Sequence, residues 1–258
     1  MLAPQRHQAI LARVDRHGGV RVSELMLELG VSDATIRHDL ETLAGLGLLA
    51  KVHGGATRIV TGSAEEVGFA ASARRRRREK EAIGARAAAL IKPGAAVAVS
   101  AGTTTWAAAR HMTKIPGLTI VTNSIPVAGI FYQARGPDQT VVLTGGVRTP
   151  SDALVGSVAV AAIRSLHFDV VLLGVYGMTV RTGFTTPNLL ESETNQAMVS
   201  AARQLVVLAD HTKWETIGIS TIAALSEANV LITDSGLDAA ARETLTTHVG
   251  DLIIVPTR

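Results

Sequence analysis

The chain contains no cysteine, which excludes a disulfide scaffold, a thiol nucleophile and a cysteine-ligated zinc or iron–sulfur site. Aromatic residues are nearly as scarce. Two Trp, two Tyr and four Phe make up 3% of 258 residues, so a core has to be built from Ala, Val, Leu and Ile. No stretch approaches the roughly 18 uncharged apolar residues that a membrane helix needs. The opening MLAPQRHQAILARVDRHGG has scattered charges and lacks the apolar segment of a signal peptide, so a soluble, cytoplasmic chain with no membrane partner is expected. No G-x-G-x-x-G follows a predicted strand, and the eight His show no paired ligand spacing. Neither a cofactor nor a metal is expected.

Hydrophobic residues make up 47% of the chain and charged residues 18%, enough for a real core and too little charge for disorder. The length suits one or two domains. A net charge of +3 conceals an uneven distribution: +1 over residues 1–58, +3 over 59–86 and −1 over 87–258. The excess sits at Arg74, Arg75, Arg76, Arg77 and Arg78. Such a run reads either as a solvated helix face or linker, or as a phosphate-binding surface.

Residues 1–58 read as three short helices and a turn-rich hairpin. Pro4 suits a first turn, Ile10 and Val14 share one face, and Gly18-Gly19 ends that helix. Ser23 is an expected N-cap for a helix from Glu24 to Leu29, stopped by Gly30. Ser32 caps a third helix whose apolar positions are Ile36, Leu40, Leu43 and Gly47, all on one narrow face. The opposite side carries Ala34, His38 and Glu41, flanked by Thr35, Arg37 and Thr42. A capped helix after a tight turn, with a small and basic N-terminal half, has the geometry that enters the DNA major groove. The Ser32 hydroxyl and the first amides suit a phosphate, and Arg37 and His38 can reach phosphates or base edges. An ordinary αα-hairpin would share this spacing. Lys51, His53 and Gly54-Gly55 then suit a β-wing along the sugar-phosphate backbone, although a plain hairpin turn would look the same.

Three stretches carry a more specific pattern: Arg6, Ile10 and Val14; the run Ser32-Asp33-Ala34-Thr35-Ile36-Arg37-His38-Asp39-Leu40; and His53-Gly54-Gly55-Ala56. Together they resemble the winged helix-turn-helix of the DeoR family of bacterial transcription regulators. The resemblance implies that the Ser32–Leu43 helix is the recognition helix and that the module binds double-stranded operator DNA within an oligomer, a homodimer or homotetramer.

A linker is expected over 59–75, including Thr61-Gly62-Ser63-Ala64, with a charged helix from about Phe69 to Ile91. Beyond it, apolar runs at 95–99, 118–121, 141–143, 170–173, 204–209, 230–233 and 252–255 alternate with helical stretches. That pattern predicts an α/β domain over 76–258 with a mostly parallel sheet covered on both faces. Ligands of such sheets bind beyond the carboxyl ends of the strands. Those ends carry Ser100-Ala101-Gly102-Thr103-Thr104-Thr105, Thr122-Asn123-Ser124, Gly145-Gly146, Gly174-Val175-Tyr176-Gly177 and Asp210-His211-Thr212-Lys213. Gly183-Phe184-Thr185-Thr186-Pro187-Asn188 lies between the fourth and fifth, before a helix with Glu191 and Glu193. Glycine backbone and hydroxyls suit a phosphate or carboxylate, with Lys213 as its cation, though Gly and Thr also simply start helices.

Residues 79–83, 102–105, 122–124, 145–146, 174–177, 183–188 and the Lys213 segment also resemble the DeoR C-terminal sensor domain. That resemblance implies a fold like ribose-5-phosphate isomerase and coenzyme A transferase. It also implies a small anionic effector, such as a sugar phosphate, held by Gly102, Thr103, Thr104 and Lys213. The expected effector set is Ser100, Gly102, Thr103, Thr104, Asn123, Gly145, Gly146, Tyr176, Gly177, Thr185, Thr186, Glu191 and Lys213, with no catalytic residue. Members of that family commonly carry Asp where this chain has Ser100 and Tyr176, so sugar-gripping carboxylates are missing at both places. Tyr176 can stack on a ligand or merely fill space. The expected function is a DNA-binding regulator, a repressor controlled by the effector. The alternative is a phosphosugar isomerase or deaminase with a fused helical domain, for which Glu191, Glu193 and Asp210 are the available carboxylates.

Overall fold

Ile10, Val14, Ile36, Leu40 and Leu43 meet in one buried cluster, as their spacing requires, joined by Leu25, Leu49 and Ala56. The computed structural model describes residues 1–52, 54–57, 68–134 and 138–257, which fall into two units, Met1–Gly62 and Ser63–Arg258. The first unit begins with α1 (Ala3–His17), which has Pro4 in its first turn and ends at Gly18 with φ 75°. After β1 (Gly19–Arg21) comes α2 (Val22–Leu29), stopped by Gly30 at φ 64°. This helix starts before the expected Ser23 cap. The Val22 amide donates to the Gly54 carbonyl at 2.9 Å, so a partner outside the helix replaces the serine.

Ser32 does cap α3 (Asp33–Gly45), accepting from the Thr35 amide at 3.3 Å. Gly47, expected on its buried face, lies past the helix end. It takes φ 66° while Leu48 bonds back to the Leu43 carbonyl, a glycine-terminated closure. The wing strands β2 (Ala50–Val52) and β3 (Gly55–Thr57) pair antiparallel, and β1 pairs with the far side of β3. A Cβ on Gly55 would lie 2.1 Å from the Val20 carbonyl oxygen, so only glycine fits where these strands cross.

The second unit begins with a break in an expected helix. Instead of one helix from Phe69 to Ile91 there are two, α4 (Phe69–Arg74) and α5 (Arg77–Ala88). Arg75 is extended and Arg76 takes φ 51°. Five successive arginines repel one another and offer no apolar stripe to keep a helix continuous. The expected linker thus runs into helix from Phe69, and its residues 59–67 lie outside the described residues.

The chain continues through β4 (Ala96–Val99), α6 (Thr103–Met112), β5 (Thr119–Thr122), α7 (Ile125–Ala134), β6 (Thr140–Leu143), β7 (Val147–Arg148) and β8 (Leu154–Val155). There follow α8 (Ser157–Arg164), β9 (Val170–Gly174), β10 (Gly177–Thr179), β11 (Gly183–Thr186), α9 (Leu189–Ser200) and β12 (Leu205–Leu208). Last come β13 (Ser220–Ala223), β14 (Val230–Asp234), α10 (Ala239–His248) and β15 (Asp251–Val255).

All seven expected strands form one parallel sheet in the order β15-β14-β12-β9-β4-β5-β6. Alternate residues feed two separate cores. Ala98, Val121, Val171, Leu173, Val207 and Leu231 pack with Ile163, Met198 and Leu245 on one face. Val97, Val99, Ile120, Leu172, Val206 and Ile232 pack with Ile83, Ala108 and Phe131 on the other. Each fully buried Val, Leu or Ile side chain among these contributes about 1.5–3 kcal/mol, which offsets the scarcity of aromatics. From β4 the sheet grows one way through β5 and β6 and the other way through β9, so the switch point lies between β4 and β9.

Candidate functional site

On the DNA-facing candidate surface, α3 is fixed from behind. Asp39 is buried on its inner side and accepts from Arg6 of α1 at 2.7 and 3.0 Å, with the His7 ring at 2.9 Å. Burial opposes the Asp39 charge, but Arg6 and His7 hold its carboxyl below the usual range. The outer side presents Ala34, Arg37, His38, Glu41 and Thr42 to solvent, with Thr35 half-buried and Ser32 at the cap. Arg37 forks onto Asp33 one turn back, which lowers the Asp33 carboxyl through that hydrogen bond. Lys51 of β2 donates to Glu41 at 2.5 Å. Gly54 turns the wing at φ 77°, and His53 lies outside the described residues. The structure therefore brings Ser32, Ala34, Thr35, Arg37, His38, Lys51 and Gly54 into one unit, with two of the cations already ion-paired.

At the switch point of the large sheet, Ser100 is fully buried. Its hydroxyl accepts the Gly174 amide at 2.9 Å, tying the end of β4 to the end of β9. Gly102 caps α6 at φ 156° with no side-chain cap, so the first-turn amides at Thr103 and Thr104 meet the strand ends. A Cβ on Gly102 would lie 3.8 Å from the Gly174 Cα, so backbone meets backbone there. Asn123 accepts from the Ala101 amide at 2.8 Å and donates to the Leu154 carbonyl, which commits its side chain to holding the loop. Thr185 is equally committed, donating to Gly177 and accepting from Gly218. Gly177 lets the Thr216 carbonyl pass where a Cβ would be 2.0 Å away.

Tyr176 stands above these strands with the Lys213 ammonium 5.7 Å from its ring centre. Glu191 collects the hydroxyls of Thr149 at 3.0 Å, Thr186 at 3.3 Å and Ser151. Gly145 and Gly146 also have a packing role. Gly146 lies where a Cβ would strike the Val155 carbonyl at 2.5 Å, so this pair lets β7 fold back onto β8. GFTT of the expected strand-end loop is itself β11, central in a small antiparallel sheet with β10 and β13.

Cations crowd the end of β12. Asp210 is buried there; burial opposes its charge, yet Lys213 and Lys80 hold it ionised and lowered. Lys80, in the first turn of α5, is 6% exposed, and burial pushes its ammonium down to about 8. Next door, His211 is raised by its hydrogen bond to the buried carboxylate of Asp234 at 2.7 Å, and Arg76 opposes that rise. Among the described residues no three His, Asp or Glu side chains are grouped to hold a metal, and no helix is long and apolar enough to cross a membrane.

The family model of the DeoR-like helix-turn-helix domain matches residues 6–61, and that of the DeoR C-terminal sensor domain matches residues 75–235. The chain belongs to the DeoR family. It is 36% identical to the HTH-type transcriptional regulator GlpR of Haloferax volcanii, over 94% of each chain. It is 30% identical to the lactose phosphotransferase system repressor of Staphylococcus aureus, over 95% of this chain and 97% of that one. A solved ribose 5-phosphate isomerase from Methanocaldococcus jannaschii overlaps 52% of this chain and 53% of its own, at 14% identity and TM-score 0.38, too slight a likeness to carry chemistry over. The DeoR relatives are named as regulators, and this chain is a transcriptional regulator rather than an enzyme. Of the carboxylates the sequence offered as catalytic candidates, Asp210 is buried under the influence of Lys213 and Lys80, Glu191 accepts from hydroxyls and Glu193 is exposed on α9.

Lys80 lies within the DeoR-like segment at 79–83, but nothing in the sequence singles it out. A lone lysine in so charged a run reads as solvated, and only the fold places it beside Asp210. Thr149 and Ser151 were missed because a turn between two-residue strands leaves no periodicity.

Proposed function

We propose that this DeoR-family chain is a transcriptional repressor that reads operator DNA with α3 and the wing and responds to a small phosphorylated metabolite at the sheet's switch point. The observation that carries the anionic effector is electrostatic. Lys80 and Lys213 act on the buried carboxylate of Asp210, and Arg75 and Glu79 also face Lys80, so three cations against two carboxylates leave a cationic excess at the strand ends where ligands of such sheets bind. The uncapped start of α6 adds main-chain donors nearby in the same row of strand ends. The repressor sign follows relatives such as the Staphylococcus aureus lactose phosphotransferase system repressor.

On the DNA side, exposed Arg37 and Lys51 exchange their carboxylate partners for phosphates or bases. One recognition helix per chain suits a two-fold or four-fold homo-oligomer on a palindromic site. A thermal-shift screen with phosphorylated and unphosphorylated sugars tests the effector class. Stabilisation by the phosphorylated members alone is the expected result, and equal stabilisation by both sets removes the anion from the account.

A further inference from the structure

A lysine in the first turn of a surface helix normally extends its ammonium into water. Lys80 turns inward instead. Its ammonium donates to the Ser72 carbonyl of α4 at 2.6 Å, the one hydrogen bond it makes among the described residues. An ammonium has three donors, so two remain for another acceptor. The charged groups that face it are Asp210 at the end of β12, Lys213 one turn on, Arg75 between α4 and α5, and Glu79 beside it.

Ser72 lies in α4, the first described element after the wing strand β3 in the sequence. No residue of α4 is fully buried. The helix is held to the sensor through Lys80 and through Phe69, whose ring meets Trp106 edge-on at 5.8 Å. A six-residue helix with so little burial belongs to the low-stability end of a fold, where a single added contact changes its order.

We propose that Lys80 transmits effector occupancy to α4: an anion bound beside Asp210 and Lys213 takes the two remaining donors, fixes the ammonium under the Ser72 carbonyl and clamps the segment that leads back to the DNA-binding unit. This rests on the anion-sensing reading above and supplies its route. An anion at the ammonium favours its charged form and polarises the bond it already makes to Ser72. By linkage, whatever orders α4 strengthens anion binding by the same factor.

Hydrogen exchange of the full-length protein, with and without inorganic phosphate, tests the clamp while thermal shift records phosphate binding in parallel. In the wild type, phosphate is expected to slow exchange across 69–75 by about fivefold, the effect of one strengthened hydrogen bond. K80M abolishes that response. K80Q, which keeps a donor for Ser72 without the charge, gives the same answer should K80M fail to fold. Phosphate binding without slower exchange, or an equal response in K80Q, overturns the clamp and leaves the sensing reading standing. No phosphate binding to the wild type overturns both.

Discussion

Arg37 and Lys51, which we propose contact DNA, are each already paired with a neighbour, Asp33 or Glu41. Both pairs are solvent-exposed, so they are weak and easily exchanged for phosphate. Arg37→Ala is expected to reduce affinity for the specific operator by about 10- to 100-fold, measured by fluorescence anisotropy, with effector binding unchanged. Lys213→Ala should do the opposite, losing effector response while operator affinity persists. If both variants damage the same activity, the division of labour between the units is wrong. The pair of half-buried His211 and buried Asp234 makes a pH prediction. Asp234 raises the His211 pKa, so the stabilisation is complete below about pH 6.5 and is lost as pH rises through the raised value. Melting curves at rising pH should show this loss in the wild type, and Asp234→Asn should flatten it. Lys80 shows why such residues escape a reading of sequence alone: its neighbours Asp210 and Lys213 are more than a hundred positions away.

Among the elements, those defined by continuous apolar runs were legible and those defined by distant pairing were not. The strands of the parallel sheet announce themselves because they are buried on both faces and need no alternation, the edge strands β6 and β15 excepted. By contrast β1 exists only because β3 pairs with it, and β11 only because β10 and β13 flank it. The α4–α5 break was hidden because charge repulsion and a left-handed Arg76 leave no glycine or proline as a marker. For the strand-end site, the strands and the polar and glycine residues at their ends were legible, but which side chains stay available was not. Ser100, Asn123 and Thr185 are committed to backbone partners that only the fold supplies. In the DNA-binding unit, α3 depends on the Arg6–Asp39 contact with α1. Asp39→Ala should lower the melting temperature by more than about 5 °C, a large effect for so small a unit. Unchanged melting would mean that the apolar cluster alone sets the angle of α3.

At the scale of the whole molecule, the low net charge of +3 does not argue against a nucleic-acid partner, because it is unevenly distributed. Arg75 and Arg76 of the basic run are half-buried and act on Lys80 and His211 of the sensor, while Arg74, Arg77 and Arg78 are exposed. The run is therefore divided between the surroundings of Lys80 and His211 and solvent, and we propose that sequence-specific DNA affinity comes from α3 and the wing. Coupling requires that the effector bind two states of the chain unequally; tight binding alone shifts nothing. The central claim, that an anion at the switch point controls DNA binding, is tested most directly by an anisotropy titration of the full-length protein. The titration uses its own upstream DNA and random DNA, with and without the phosphorylated sugar that stabilises it most. The account predicts preference for the upstream sequence, log K falling linearly with log salt, and a change in that specific affinity of at least about fivefold when the sugar phosphate is added. Equal affinity for random DNA, or a specific affinity that no phosphorylated ligand changes, contradicts it.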